Sequence, residues 1–193
     1  MKVQYQTIEL FKNNCSTLKE TSHDKDSEVP SYMTNSQIEV VNFDKVVNCY
    51  SKELAALNIP CSVDALYFGQ EEAIYFIEFK NGTLKKEKVF KVYNKIYDSL
   101  LLFNDIVQEN ISFCREHVYF ILVYNESKNL DQINKQTSED CAKATIGKYF
   151  HRKAQKNYVR FGLERFKKIY FRDVFTYTES EFEKIFLASI ATK

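Results

Sequence analysis

Two apolar runs separated by a polar turn stand out in the middle of the chain. Residues 62–68 read SVDALYF, residues 69–72 are Gly-Gln-Glu-Glu, and residues 73–80 read AIYFIEFK. Aromatic and branched residues on both sides of a glycine-led turn predict a β-hairpin. The second run shows no polar alternation before its end, so we expect this strand to be buried on both faces.

Three charged side chains lie at the end of this predicted hairpin. Glu78 and Lys80 share one face of the second strand, because side chains alternate along a strand. In a hairpin closed by residues 69–72, Asp64 lies near Glu78, and two adjacent carboxylates disfavour each other's ionisation. A divalent cation relieves this repulsion, and Mg²⁺ typically uses one or two carboxylates together with water and phosphate oxygens. Lys80 is then placed to orient a water or to stabilise charge on a phosphate.

Asp64 followed by Glu78-Phe79-Lys80 resembles the motif of the PD-(D/E)xK nuclease superfamily, which has the restriction-endonuclease-like fold. The resemblance covers residues 36–124, and Val63 stands where the family often has proline. It implies that Asp64 and Glu78 hold Mg²⁺ (or Mn²⁺) and that Lys80 assists the attacking water. It also makes the backbone carbonyl of Phe79 a candidate metal ligand. The alternative is a surface hairpin end with a solvated Glu-Lys pair.

Amphipathic helices are predicted on both sides of the hairpin. Apolar residues recur at spacings of three and four within residues 38–57, at least from Phe43 onward, and Asn42 is a suitable N-cap. This predicted apolar face includes Leu54 and Leu57. A longer periodic stretch covers residues 85–109, after the turn that follows the core strand.

The resemblance also implies that these two helices can add polar groups to the site. The candidate acids of the first helix are Glu39, Asp44 and Glu53, and the candidates of the second helix are Lys95 and Ser99. Alternatives stay open for each helix. Asp44 in a first turn also suits the helix dipole, while Glu53 and Lys95 also fit solvated helix faces.

The remaining pattern predicts one α/β domain. Residues 117–124 form a second wholly apolar strand, which a helical crossover would place parallel to the strand ending at Lys80. Further elements are predicted as a helix over 138–156, a short strand over 169–171 and a closing helix over 178–188. We therefore expect a mixed central sheet flanked by helices within residues 36–193, preceded by a poorly patterned segment over residues 1–35.

Charge is distributed unevenly along the chain. Residues 143–172 contain ten Lys or Arg and one acid, so they carry +9, whereas the whole chain carries +1. Such asymmetry suggests an anionic partner, since basic side chains neutralise phosphates. The candidate nucleic-acid contacts are Lys148, Arg152, Lys153, Lys156 and Arg160. We assign the aromatic residues interleaved among them to the core.

Composition restricts the other classes. The number of cysteines is odd, at five, and no two of them have the spacing of metal ligands, which favours free thiols. No apolar run approaches the length of a membrane span, so we expect a cytoplasmic protein. Only four glycines are present, so a fold built on glycine-rich phosphate loops is disfavoured. The sequence thus predicts a metal-dependent nuclease acting on DNA rather than RNA. The alternatives are a catalytically silent binding module of nuclease fold and a protein-interaction component of a defence or immunity system. A homo-oligomer stays open.

Overall fold

The computed structural model describes residues 5–24, 31–131 and 159–191. The strands are β1 (Cys15–Thr17), β2 (His23–Asp24), β3 (Ser31–Tyr32), β4 (Glu39–Asn42), β5 (Ala65–Phe68), β6 (Ile74–Lys80), β7 (Val118–Tyr124) and β8 (Asp173–Thr178). The helices are α1 (Glu9–Lys12), α2 (Leu18–Thr21), α3 (Phe43–Glu53), α4 (Lys86–Val107), α5 (Ile111–His117) and α6 over residues 179–191, and single 3-10 turns lie at Tyr5–Thr7 and Leu163–Phe166. Within α6, the segment Phe182–Leu187 is π-helical.

Six of these strands form one mixed sheet in the order β1-β4-β5-β6-β7-β8. The pairings β1–β4, β4–β5 and β5–β6 are antiparallel, whereas β6–β7 and β7–β8 are parallel. The predicted hairpin is therefore confirmed as β5–β6, and the predicted parallel crossover is confirmed as β6–α4–α5–β7. Because β6, β7 and β8 run in the same direction, their carboxyl ends meet at one edge of the sheet, which is where α/β folds commonly bind ligands.

Alternate residues of β6 face two different hydrophobic layers. Ile74 and Phe76 pack into the larger layer with α3 and α4, whereas Ile77 and Phe79 pack into a smaller layer with α6. The alternation places Glu78 on the same face as Ile74 and Phe76, so its carboxylate points toward α4. The prediction that this strand is buried on both faces is confirmed.

The outer bounds of the first predicted helix, residues 38 and 57, were wrong, whereas its start at Phe43 after the N-cap Asn42 is confirmed. Residues 39–42 form β4 instead, because Val40 and Val41 are buried on opposite faces of the sheet between β1 and β5. The helix begins at Phe43, with the Asn42 side chain accepting a hydrogen bond from the Lys45 N–H, as expected of the N-cap. It ends at Glu53, so Leu54 and Leu57 do not face the core and are 58% and 99% exposed.

Other boundaries also differ from the predictions. The long helix stops at Val107, because Gln108 takes a left-handed conformation, and the unpredicted α5 follows before the strand begins at Val118. The predicted strand at 169–171 is wrong: Lys167 and Phe171 form only an isolated bridge, and the strand is β8. The predicted helix over 138–156 lies outside the described residues.

The N-terminal segment contributes to the main sheet. Its strand β1 pairs with β4 and forms one edge, in register from Cys15 opposite Val41 to Thr17 opposite Glu39. The short ladder β2–β3 lies near the carboxyl end of β6, where the Asn81 amide donates a hydrogen bond to Asp24. Among the described residues, no helix is both long and apolar enough to cross a membrane.

Thr178 is the N-cap of α6, and substitutions at this position measure how much the cap stabilises the fold. Its hydroxyl accepts from the Glu181 N–H, and the Glu181 carboxylate accepts from the Thr178 N–H, which completes a capping box. We expect Thr178→Val, which keeps the shape but removes the hydroxyl, to lower the free energy of unfolding by about 1 kcal/mol in urea titrations. Thr178→Ser should lose less, and Ser180→Ala, an exposed position in the first turn of the same helix, is the control. Equal losses for Thr178→Val and Thr178→Ser would contradict the capping role.

Candidate active site

The backbone holds Asp64 opposite Glu78. Ala65 pairs with Ile77 in the antiparallel β5–β6 register, so the next position places Asp64 across from Glu78. The Asp64 carbonyl accepts a hydrogen bond from the Phe43 N–H at 3.2 Å. Its carboxylate oxygen Oδ2 accepts from the Phe79 N–H at 2.6 Å. Asp64 is thus fixed by the start of α3 on one side and by the end of β6 on the other.

A single ammonium group bridges the two carboxylates. Lys95 Nζ lies 3.0 Å from Asp64 Oδ1, 3.0 Å from Glu78 Oε2 and 2.8 Å from Glu78 Oε1. Lys80 forms a further ion pair with Glu78 Oε1 from the same face of β6. The structure therefore brings together the three predicted residues Asp64, Glu78 and Lys80, and it adds Lys95 to them. We call these four residues the charge cluster.

Glu78 is fully buried, and its carboxylate faces two ammonium groups. Lys80 and Lys95 both lie within ion-pair distance of Oε1, and Oε2 accepts a hydrogen bond from Lys95. Burying a carboxylate oxygen without full hydrogen bonding is costly. The two ammonium groups therefore offset much of the cost of burying this carboxylate.

Burial and neighbouring charges set the protonation of the cluster. Burial raises the pKa of Glu78, and the negative charge of Asp64 raises it further, while Lys95 and Lys80 oppose the shift. Burial alone would lower the pKa of Lys95, but the carboxylates of Glu78 and Asp64 outweigh burial and raise it. Lys95 is accordingly a charged ammonium, not a member of a solvated lysine face.

The cluster is open to solvent on one side. The side chains of Asp64, Lys95 and Lys80 are 15%, 21% and 25% exposed, whereas Glu78 is covered. The Phe79 carbonyl leaves β6 on the same side as its N–H, because both backbone groups of a residue in an antiparallel pair point to the same partner strand. Since that N–H bonds to Asp64, the carbonyl points to the β5 side of β6. A ligand arriving from solvent would meet Asp64, Lys80 and Lys95 first.

The auxiliary candidates Asp44 and Ser99 support the segment that carries Asp64. The Ser62 hydroxyl donates to the Asp44 carboxylate, and the Val63 N–H donates to the buried Ser99 hydroxyl oxygen at 2.9 Å. Asp98 on the same helix accepts from the Cys61 N–H at 3.0 Å. Three consecutive residues before Asp64 are thus tied to α3 and α4, which positions its carboxylate.

The other acidic candidates of the first helix lie elsewhere. Glu53 is the last residue of α3 and is exposed, about 13 Å along the helix axis from Asp44. Glu39 begins β4, opposite Thr17 of β1, and is also exposed. Of the acids proposed for this region, Asp44 is the one that the fold places beside the Asp64 segment, and its charge contributes to the raised pKa of Lys95.

Arg160 and Tyr124 extend the site along the carboxyl edge of the sheet. Tyr124 lies beside Lys80 in the parallel β6–β7 register. Its buried hydroxyl accepts a hydrogen bond from Arg160 Nη1 at 2.7 Å, and the Arg160 N–H donates to Thr176 Oγ1 at 3.0 Å. Burial raises the pKa of Tyr124 to about 12, although Arg160 opposes the shift, so the hydroxyl is neutral. Sequence reasoning selected Arg160 but missed Tyr124, whose only signal was its place at the end of an apolar strand. Lys148, Arg152, Lys153 and Lys156 lie outside the described residues.

Comparisons with protein-family models, with curated proteins and with solved structures found no match. The α/β class with a six-stranded mixed sheet and flanking helices is what the structure shows. The nuclease-like core, the metal and the catalytic roles stay predictions. Within residues 5–24, 31–131 and 159–191, no group of three or more His, Cys, Asp or Glu side chains is arranged for a metal ion.

Glu78 also gives the stability of the protein a defined pH dependence. Because its pKa is raised on folding, the folded protein holds this proton more tightly than the unfolded chain does. Its contribution to stability is greatest below the pKa of an unfolded-chain glutamate and decreases as the pH rises toward the folded pKa. We therefore expect the free energy of unfolding of the wild type, measured with urea in EDTA, to fall relative to that of Glu78→Gln as the pH rises above about 4, the pKa of a glutamate in an unfolded chain.

Glu87→Gln makes the same chemical change at an exposed position in the first turn of α4. It shows what the loss of one exposed carboxylate does to the free energy of unfolding, so the comparison isolates the effect of burial. A difference between the wild type and Glu78→Gln that is flat, or that grows in favour of the wild type as the pH rises, would contradict a raised pKa of Glu78.

Proposed function

We propose that this protein is a metal-dependent nuclease that hydrolyses phosphodiester bonds of nucleic acid, with DNA favoured over RNA as the substrate. The observation that carries the proposal is the Lys95 ammonium, which touches both Asp64 and Glu78. One cation position therefore lies within contact distance of both carboxylates. Lys80, the third residue of the motif, contacts Glu78 beside that position.

The donor set fits a hard divalent cation. Mg²⁺ commonly binds through one or two carboxylates and completes its coordination with water and substrate phosphates. Asp64 and Glu78 would hold it, and the Phe79 carbonyl is directed to the same side. When bound, the ion would supply Lewis-acid activation of water and stabilisation of charge on the phosphate.

The chain's own residues have separate roles in this proposal. Lys80 is partly exposed beside Glu78, where its ammonium orients the attacking water or stabilises charge on the scissile phosphate. Arg160 is held by Tyr124 at the same edge of the sheet and is placed to contact a backbone phosphate. Ser99 and Asp44 act through the segment before Asp64, so they are positioning residues.

The proposed nuclease has a direct test. Purified protein should cut plasmid DNA when Mg²⁺ or Mn²⁺ is added, and an RNA oligonucleotide is tested in parallel as the alternative substrate. Asp64→Asn and Lys80→Gln should each lower the cleavage rate by about a hundredfold or more, since each removes a group that acts on the reacting phosphate or its water.

Glu87→Gln is the matched control, because it changes an exposed carboxylate on α4 and should leave the cleavage rate unchanged. Circular dichroism of each variant would show that the fold is retained. Cleavage that persists in both Asp64→Asn and Lys80→Gln would overturn the assignment.

A binding module without catalysis is the second candidate. It is favoured by the formal charge of the cluster, in which two carboxylates and two ammonium groups already balance. Buried ion networks of this kind also occur as purely structural features. A protein that binds DNA or a protein partner at low salt, but shows no Mn²⁺ binding at millimolar concentration and no cleavage, would establish this alternative.

A further inference from the structure

The Lys95 ammonium already occupies the position between the two carboxylates where the proposed nuclease would bind a metal ion. The cluster of Asp64, Glu78, Lys80 and Lys95 has no formal net charge. A divalent cation added to all four side chains would bring a charge of +2 into a largely buried site. Charge repulsion is strong where water is partly excluded, so a divalent cation and the Lys95 ammonium cannot both lie between the same two carboxylates.

The two lysines differ in how they would oppose a metal ion. Within the charge cluster, Lys80 forms its ion pair with Glu78, whereas Lys95 contacts Asp64 and both oxygens of Glu78. A metal ion shared by the two carboxylates would take the position that Lys95 Nζ holds. Lys80 would merely lie beside that ion, so Lys95 is the side chain that has to move.

The surroundings of Lys95 allow such a movement. Its backbone is fixed on α4, between the buried residues Val92 and Ser99, but its side chain is 21% exposed and has a path to solvent. A lysine side chain is a compact charge on a flexible four-carbon stem. A displaced ammonium would remain within reach of the site and would need a new anionic partner, which a phosphodiester supplies.

We propose that Lys95 is an internal counter-ion that occupies the space between Asp64 and Glu78 until a divalent cation and a phosphodiester bind together. The inference rests on the proposed function, because it concerns the same metal and the same substrate class. Lys95 weakens binding of the metal alone, and the nucleic acid relieves this competition by accepting the displaced ammonium. Metal and nucleic acid therefore bind with positive coupling, and each raises the affinity for the other by the same factor.

The test measures Mn²⁺ binding by electron paramagnetic resonance, which detects free Mn²⁺ and needs no catalysis. Wild type, Lys95→Gln, Lys80→Gln and Lys88→Gln would be titrated with Mn²⁺ alone, and again with a 20-base-pair phosphorothioate DNA duplex. Lys88→Gln is the control, since it removes an exposed lysine from the same helix about 10 Å along the axis.

Lys95→Gln should bind Mn²⁺ alone about tenfold more tightly than the wild type, because the competing charge is gone. The gain for Lys80→Gln should be smaller, and Lys88→Gln should match the wild type. The duplex should tighten Mn²⁺ binding more in the wild type than in Lys95→Gln. Equal Mn²⁺ affinities of wild type and Lys95→Gln, or no Mn²⁺ binding by either, would overturn the inference.

A second measurement on the wild type covers the case in which Lys95→Gln fails to fold. The side-chain amine signal of Lys95 in nuclear magnetic resonance, assigned by its absence from Lys95→Arg, should shift when Mg²⁺ and the duplex are both present. It should change little with either ligand alone. A signal that is unmoved by both ligands together would overturn the inference.

The outcome is separable from that of the nuclease assay. If the wild type cleaves DNA but binds Mn²⁺ with the same affinity as Lys95→Gln, the proposed function stands and the counter-ion role is rejected. Coupled binding of Mn²⁺ and duplex without cleavage would support the counter-ion role and reject the nuclease.

Discussion

The buried carboxylate of Glu78 is the constraint on which the rest of the site depends. A fully covered glutamate at the end of a core strand is costly unless opposite charges surround it. Here Lys80 provides one charge from the same strand, and Lys95 provides another from α4. Asp64 lies immediately before β5, opposite Glu78, and is the second carboxylate that contacts Lys95. The local structure is therefore arranged around two anions and the cations between them.

Helix α4 connects this charge cluster to the rest of the fold. Lys95 of this helix bridges the two carboxylates. Asp98 accepts a hydrogen bond from the Cys61 N–H, and Ser99 accepts one from the Val63 N–H. One face of one helix thus sets the position of Asp64 through the backbone and the charge around it through an ammonium group. The same helix packs Ile96, Leu100 and Phe103 into the larger hydrophobic layer, so the geometry of the site is tied to burial of the core.

The parallel half of the sheet gives the site its second side. Tyr124 and Thr176 lie at the carboxyl ends of β7 and β8, and both hold Arg160. The antiparallel half supplies the carboxylates through the β5–β6 hairpin, while the parallel half holds Arg160 through Tyr124 and Thr176. The charge cluster lies where the two kinds of strand pairing meet, because β6 pairs antiparallel with β5 and parallel with β7.

Local rules determined much of this from the sequence alone. The two-residue period of a strand placed Glu78 and Lys80 on one face, and the short turn after Phe68 placed Asp64 opposite them, because both depend only on neighbouring residues. The helical period likewise put Lys95 and Ser99 on one stripe of α4. Whether that stripe faces the sheet or solvent depends on how the helix packs against the sheet. Only the tertiary structure therefore decided that Lys95 bridges the carboxylates. The strands β4 and β8 and the pairing of Tyr124 with Arg160 were decided in the same way, since their partners lie far away in the chain.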